Sequence, residues 1–431
     1  MISTRLFVSL FLIVATSSLF SNTPEPLILL PDQSLEELFD YDPEYTQNIV
    51  TFDSLGRPYI RSRTTDIDET GFIHTLRDGK WEKISFLPAL REAYPNFEGT
   101  HRAAGTVDTR IIFDREDRFY TLLTIRLKDE PGKTVMLYST DFGETIELVE
   151  VPRNAVPAEH FSGHNELTGP PLLMLSERRN VSLPGNWARV NRLSIIQPRW
   201  EKSEIIVPEP TEVTDMLVSI GQHSGGSSFA ATRDGKTHFV WAEATEDTDA
   251  PGSPTFIATL DQNSGEISEP VFLAYARPVN NSHNVPGICI DSDGYLHVVT
   301  GAHYGQSFFY TRSLVPNSID GGWADPEPVW ATGWTATTGE EAGGQTYVAL
   351  VCDPDDNLHL VFRHWQRRST QFSHLAEQNG RYFAALAHQK KPKGKPWSEP
   401  HTLIIPARNI YSIYYHKLTV GPGGSLFLSA S

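Results

Sequence analysis

Short apolar runs separated by polar turns recur along the chain at an interval of about sixty residues. In the two clearest copies, residues 290–297 and 352–359, an apolar run ends at an aspartate, a polar turn follows, and a histidine stands six residues after the aspartate. With the weaker copies, the anchor positions are 53, 114, 232, 291, 353 and 421. The gap between 114 and 232 spans two intervals and contains the strand-like run 170–175, so the pattern predicts seven copies.

Each copy has the pattern of a β-hairpin, with an apolar strand, a turn of Asp, Asn or Gly, and a second apolar strand. A hairpin cannot bury its apolar face alone, and sixty residues can hold four strands. Seven such units around an axis predict an all-β fold, a seven-bladed β-propeller, formed by residues 22–431 as one catalytic domain. The turn at 139–145 (STDFGET) is similar to the Asp-box turns of propeller blades.

The seventh copy contains only its hairpin before residue 431. Either the segment 27–50 supplies the missing strands and closes the ring, or the chain is a fragment. Closure by the N-terminal segment is the favoured interpretation.

The first 21 residues predict a signal peptide, because Arg5 precedes an apolar run at 6–15 that is too short to span a bilayer. We therefore expect a secreted protein, extracellular or periplasmic. No later stretch is apolar enough to cross a membrane, so we expect no membrane partner. We also expect a monomer.

The net charge of −17 argues against a nucleic-acid partner, which needs a basic surface. It also means that an anionic substrate must bind in a local basic pocket. Cys289 and Cys352 each lie in an apolar run and are expected to be buried thiols, with a disulfide between them as the alternative. The sequence has no Cys-x-x-Cys pair, so a thiolate zinc site is not indicated, and whether a structural metal binds stays open.

Four polar side chains fall into two symmetric pairs on consecutive hairpins. His283 and His303 are symmetric about residue 293, and Tyr347 and Arg363 about residue 355. Symmetric residues of an antiparallel hairpin face one another, so we expect each pair to be opposed. Aligning the two copies places both pairs on one face at the ends away from the turns.

This set suits proton abstraction beside a carboxylate. Eliminative cleavage at a 4-linked uronic acid requires a base for H5, an acid for the leaving oxygen and positive charge for the enediolate-like intermediate. Arg363 can supply the charge and His303 a hydrogen bond. The base needs a pKa near the working pH: an imidazole already has one, and the pKa of a phenol, near 10, must be lowered by cationic neighbours. Either residue of a tyrosine–histidine pair can therefore be the base and the other the acid, and we expect that catalysis needs no cofactor or metal.

The segment 281–303 (NSHNVP, then DSDGYLH, then GAH) resembles the BNR-type propeller lyases, and most of all the seven-bladed ulvan lyases. In that family two histidines about twenty residues apart are followed by a tyrosine and then by an arginine, and the same spacing occurs here. The resemblance covers residues 225–431. It implies eliminative cleavage next to a uronic acid in a sulfated, rhamnose-containing polysaccharide. It also implies that His283 and Tyr347 are the acid/base pair and that His303 and Arg363 neutralise charge.

Further polar and aromatic residues near these positions are candidates for substrate contact. They are Asn284, Trp365, Arg367, Tyr415, His416 and His164. Trp365 aligns with His303 and can stack on a sugar ring, and Tyr415 falls at the repeat position of Tyr347. His297 and His359 recur just after the turns, so we interpret them as part of the blade architecture.

Two other functions remain open. A sialidase-type hydrolase on the same fold needs three arginines around the substrate carboxylate and a carboxylic acid partner. A non-catalytic glycan-binding propeller binds the polysaccharide and releases no product.

Overall fold

The computed structural model describes residues 27–29, 50–61, 71–100, 110–183, 190–218, 227–247, 249–303, 306–330, 344–366, 383–406 and 416–429. The predicted signal peptide lies outside these residues. In the described part, α1 (Leu87–Ala93) is the one α-helix, and no helix is long and apolar enough to cross a membrane.

The described strands form the sheets of a β-propeller. The first sheet contains β2 (Thr51–Phe52), β3 (Pro58–Arg61), β4 (Phe72–Arg77) and β5 (Lys80–Ser85). The second contains β6 (Phe97–Thr100), β7 (Ile112–Phe113), β8 (Phe119–Leu127), β9 (Glu130–Ser139) and β10 (Glu147–Val151). The third contains β11 (Ala155–Pro157), β12 (Leu173–Arg178), β13 (Asn191–Ile196) and β16 (Thr211–Leu217), with a separate hairpin of β14 (Arg199–Glu201) and β15 (Glu204–Ile206) between its last two strands.

The other sheets follow in chain order. The fourth contains β17 (Ala230–Arg233), β18 (Lys236–Ala242), β19 (Ser253–Asp261) and β20 (Val271–Ala276). The fifth contains β21 (Gly287–Ile290), β22 (Leu296–Val299), β23 (Phe309–Arg312) and β24 (Glu327–Pro328). The sixth contains β25 (Gly344–Cys352), β26 (Leu358–Gln366), β27 (Phe383–Lys391) and β28 (His401–Pro406), and β1 (Leu27–Leu29) joins it. A last hairpin contains β29 (Lys417–Val420) and β30 (Leu426–Ser429).

The core lies between neighbouring sheets. Val299 and Tyr310 of the fifth sheet belong to one buried cluster with Leu350 and Phe362 of the sixth. Every residue of β21 and β25 is buried, because adjacent sheets cover both faces of these strands. Their sequences are therefore almost continuously apolar rather than alternating.

The predicted number of blades is wrong: the described residues form six blades, not seven. The seventh repeat contributes a two-stranded hairpin, which packs on the sixth sheet through Leu418 and Val420 and on the first sheet through a Phe427–Phe52 ring contact at 4.7 Å. The repeat pattern marks hairpins, and a hairpin has the same signature whether or not two outer strands accompany it. The short strand β1 pairs in parallel with β28 of the sixth sheet, so this part of the N-terminal segment does not complete the seventh repeat as expected.

The recurrent turn aspartate organises each clear hairpin from within. Asp353 Oδ2 lies 2.9 Å from His359 Nε2, and Asp291 Oδ2 lies 3.0 Å from His297 Nε2. In the second sheet a tyrosine hydroxyl takes the place of the imidazole, since Tyr120 donates to Asp114. The interpretation of His297 and His359 as blade architecture is therefore confirmed.

The two cysteines are free and buried, as expected, and the alternative of a disulfide is wrong. The Asp-box-like segment forms the turn between β9 and β10, where Asp141 accepts a hydrogen bond from Thr145 N at 2.9 Å.

Candidate active site

His283 and His303 stand at the end of the β21–β22 hairpin that lies away from its turn. Gly287 pairs with Val299, which confirms the predicted symmetry about residue 293. The ladder stops there, so both histidines lie in the segments just beyond it. Their rings stack with centroids 3.8 Å apart and an interplanar angle of 17°. A backbone hydrogen bond from His303 N to Arg277 O, at 2.9 Å, holds the second histidine in place.

Asn281 holds the two imidazoles in opposite tautomers. Its Oδ1 accepts from His283 N at 3.0 Å and lies 2.8 Å from His283 Nδ1. A carboxamide oxygen only accepts, so this Nδ1 donates and the lone pair of neutral His283 is on Nε2. Asn281 Nδ2 lies 3.3 Å from His303 Nδ1. An amide NH₂ only donates, so His303 Nδ1 carries the lone pair and its Nε2 carries the proton.

Tyr347 lies beside this pair on the next blade. Its ring centroid is 5.8 Å from that of His283, with the planes inclined at 45°. The guanidinium carbon of Arg363 lies 6.0 Å from the centroid of the tyrosine ring. The structure therefore brings together His283, His303, Tyr347 and Arg363, as the sequence predicts.

The predicted pairing of Tyr347 with Arg363 is wrong by one residue. The ladder follows the expected symmetry as far as Ala349 and Val361, but beyond it Thr346 is the partner of Arg363. A β-bulge between these pairs adds one residue to β25, and Tyr347 adopts a positive φ of 67° within it. A left-handed backbone is costly for an aromatic residue, and such strain concentrates at functional sites.

Burial and charge set the protonation of His303. Burial, together with the nearby Arg363 cation, lowers the pKa of His303 to about 4. A neutral imidazole at neutral pH agrees with the lone pair assigned to its Nδ1. Tyr347 has 2% of its surface exposed and Arg363 has none, whereas His283 is half-buried.

His416 lies beside Tyr347 and Arg363, and it adjoins two further buried basic residues, Lys417 and Arg110. His416 is fully buried and its Nε2 lies 3.0 Å from Val361 O. Burial lowers the pKa of His416 to about 3 and that of the adjacent Lys417 to about 7, and the Arg110 cation contributes to the second shift. Lys417 and Arg110 are thus two buried basic groups that act on one another inside an acidic chain.

The remaining predicted contact residues lie in different places. Asn284 is fully buried and its Nδ2 donates to Pro278 O at 2.5 Å and to Ser253 Oγ at 3.1 Å, so it fixes the loop before β21 and the expectation of a sugar contact is wrong. His164 lies at the turn end of the sixth sheet, 3.2 Å from Asp353 O, away from the two histidines. The Trp365 side chain, Arg367 and Tyr415 lie outside the described residues.

The sequence contained a signal for Asn281. An asparagine two residues before a histidine can accept a hydrogen bond from the histidine N–H, as in an Asx turn, and then reach its ring. The contact to His303 depends on the hairpin bringing two distant segments together, and no local pattern shows it.

Comparisons with known proteins give a partial match. A profile described as a BNR repeat-containing family member matches residues 248–429, which include all four residues of the cluster. This part of the chain is therefore similar to BNR repeat proteins. A search of curated protein sequences finds no match.

Several solved structures resemble the fold at low identity. The Trypanosoma rangeli sialidase in complex with sialic acid is 11% identical with a TM-score of 0.39, and the alignment covers 89% of this chain and 57% of the sialidase. A thermostable family-43 glycoside hydrolase is 13% identical with a TM-score of 0.31, covering 83% of this chain and 95% of that protein. The Penicillium chrysogenum α-L-arabinanase complexed with arabinobiose is 12% identical with a TM-score of 0.38, covering 74% and 92%. At these identities and TM-scores, the similarity does not indicate an activity.

Proposed function

We propose that this chain is an exported polysaccharide lyase that cleaves an anionic glycan by β-elimination next to a uronic acid. The observation that carries the proposal is the pair of opposite tautomers that Asn281 holds beside Tyr347. The two rings offer one lone pair, on His283 Nε2, and one N–H donor, on His303 Nε2.

The proposed reaction begins with proton transfer from C5 of the uronate to His283 Nε2. The electron pair of the broken C5–H bond moves into the carboxylate, which His303 Nε2–H stabilises by a hydrogen bond. This electron pair then forms the C4=C5 double bond while the C4–O4 bond breaks. The Tyr347 hydroxyl donates its proton to O4. The tyrosinate regains a proton from the His283 imidazolium, whose ring is 5.8 Å away. No water is consumed.

Arg363 acts in this scheme through its charge. Its guanidinium has no exposed surface and lies behind the tyrosine ring, so direct bidentate contact with the substrate is not part of the proposal. A cation at this distance stabilises the tyrosinate and the developing enediolate in a site of low dielectric constant.

The substrate class follows from the charge and the sequence motif. The buried Arg363 cation, in a chain of net charge −17, favours an anionic ligand at this site. The resemblance of 281–303 to ulvan lyases makes a sulfated, uronate-containing polysaccharide the first substrate to test. The apolar N-terminal run supports export, and we propose a monomer that requires no cofactor for catalysis.

The test is an assay of the purified protein on a panel of uronate polysaccharides, with and without sulfate, followed by ultraviolet absorbance of the unsaturated uronate. The proposal predicts absorbance that rises with cleavage. New reducing ends without absorbance would show a hydrolase. Binding without any product would show a glycan-binding propeller. Either of these two results overturns the lyase assignment.

A further inference from the structure

A second group of reactive side chains lies at the opposite end of the sixth sheet, in its turn. A ring nitrogen of His164, Cys352 Sγ and a carboxylate oxygen of Asp356 all lie within 4.8 Å of one another. His164 comes from the segment after β11, Cys352 ends β25, and Asp356 is in the turn that follows. The group shares no residue with the histidine–tyrosine site, so the two can be tested separately.

The distances between the donor atoms fit a tetrahedral ion. His164 Nε2 lies 3.2 Å from Asp356 Oδ1 and 3.2 Å from the carbonyl oxygen of Asp353, and Cys352 Sγ lies 3.7 Å from that carbonyl. An ion with bonds of about 2.0–2.2 Å to nitrogen and oxygen and about 2.3 Å to sulfur places its ligands roughly 3.3–3.7 Å apart. The three separations are thus close to the edge lengths of such a tetrahedron.

Asp356 accepts from Ser292 N at 2.8 Å and from Lys393 Nζ at 2.8 Å, whereas His164 and Cys352 have weaker partners. A neutral imidazole has one N–H at Nε2 at most, and both Asp356 Oδ1 and Asp353 O are at the same distance from it. The Cys352 thiol, a weak donor, donates to the same carbonyl at 3.7 Å. A metal ion would use all of these donors at once.

The backbone brings the segment of His164 against the sixth sheet. Cys352 N donates to Ser162 O at 2.8 Å, and His164 N donates to Ile290 O at 3.2 Å. Gly163 has a φ of 155°, and a Cβ there would lie 2.8 Å from Cys352 Cβ. A side chain at residue 163 would push the two segments apart.

Some contacts of this turn also occur in the corresponding turns of other blades. Asp117 of the second sheet accepts from Ser54 N at 2.8 Å, and Asp356 accepts from Ser292 N at 2.8 Å, so this clamp between blades recurs. The residue before the anchor aspartate is Phe52, Phe113 or Ile290 in the other clear copies and Cys352 in the sixth. The repeat therefore accounts for Asp356 and leaves Cys352 and His164 unexplained.

We infer that His164, Cys352 and Asp356, with the Asp353 carbonyl, bind a zinc ion that ties the segment after β11 to the sixth blade. One imidazole, one thiolate and one carboxylate form the mixed donor set that zinc accepts in tetrahedral sites. Binding converts the Cys352 thiol to a thiolate and releases its proton to solvent. Since four protein ligands fill the coordination sphere, the role is structural.

The experiment measures metal in the full-length protein after incubation with zinc sulfate and removal of free zinc. We expect about one zinc per chain in the wild type and in Cys289→Ser, the control that removes the other buried thiol. Cys352→Ser and the half-buried His164→Gln should lower zinc affinity by at least about 10-fold. A chelator should lower the Tm of the wild type and leave that of Cys352→Ser unchanged.

Cobalt(II) gives a second readout that does not depend on the variants folding equally well. The cobalt-loaded wild type should show sulfur-to-cobalt charge-transfer absorption and the intense visible bands of a tetrahedral site. Wild-type protein that retains no zinc and shows no such absorption overturns the inference. Retention of zinc by Cys352→Ser at the level of Cys289→Ser also overturns it.

Discussion

Asn281 Oδ1 lies 2.8 Å from His283 Nδ1, and this contact fixes which nitrogen of His283 can act as a base. The same amide, through its nitrogen, reaches His303. One buried carboxamide thus gives two stacked imidazoles different chemical roles.

Asn281 is accordingly a positioning residue, and Asn281→Asp tests it. The carboxylate keeps an acceptor for His283 but loses the donor to His303, and its charge raises the pKa values of both imidazoles. We expect turnover at pH 7 to fall about 10²-fold and the acidic limb of the pH–rate profile to move to higher pH. The matched control is Asn263→Asp in an exposed turn. An unshifted profile in a folded Asn281→Asp protein would contradict the assignment.

Tyr347→Phe removes the proposed proton donor and keeps the ring. Positioned acid–base groups contribute about 10²–10⁴-fold, so kcat should fall by that order while substrate still binds. Phenylalanine occupies the same bulge, and Tyr275→Phe, an exposed tyrosine of the fourth sheet, is the control. A folded Tyr347→Phe enzyme with near-normal kcat removes the phenol from the mechanism.

His297→Gln tests the distinction between blade architecture and catalysis. His297 Nδ1 lies 2.8 Å from Tyr310 Oη and its Nε2 lies 3.0 Å from Asp291 Oδ2. Glutamine cannot reproduce both contacts, so the free energy of unfolding should fall by about 1–3 kcal/mol. Urea denaturation measures this loss, and kcat of the folded fraction should stay near the wild-type value. A large loss of kcat at unchanged stability would place His297 in the catalytic machinery.

The sequence predicted the fold through its repeat, and it predicted the cluster through the symmetry of the hairpins. The register about residue 293 held, because the turn aspartate and the residue six positions later fix each hairpin. The number of blades could not be predicted, because the repeated turn aspartate identifies a hairpin and does not show whether two outer strands accompany it. The bulge at Tyr347 could not be predicted either, because one extra residue does not change the apolar pattern of the strand.

Contacts between segments that are distant in the chain could not be predicted from the sequence either. Cys352 and His164 are far apart in the chain, so a search for closely spaced cysteines cannot detect that they lie close together. Asn284 lies in the same short motif as His283, yet the fold buries its side chain entirely. Its position next to His283 in the sequence therefore did not indicate a contact with substrate.

Buried histidines should make the fold sensitive to acid. Burial lowers the pKa of His238 to about 4, an effect that its hydrogen bond to Asn317 only partly offsets. Between pH 6.5, the usual histidine value, and about 4, the unfolded chain binds a proton here and the folded chain does not. The free energy of unfolding should therefore fall as the pH decreases through this window. His238→Gln should make that slope shallower by about 1.4 kcal/mol per pH unit. Parallel slopes for the two proteins would contradict this.

The central claim is that the glycosidic bond is broken by elimination. Cleavage of a uronate polysaccharide in water enriched in the heavy oxygen isotope, followed by mass spectrometry of the products, tests it most directly. The account predicts products that sum to the mass of the substrate, with an unsaturated uronate at the new non-reducing end and no heavy oxygen introduced by cleavage. Products that gain one water and carry the heavy isotope would contradict it and identify a hydrolase.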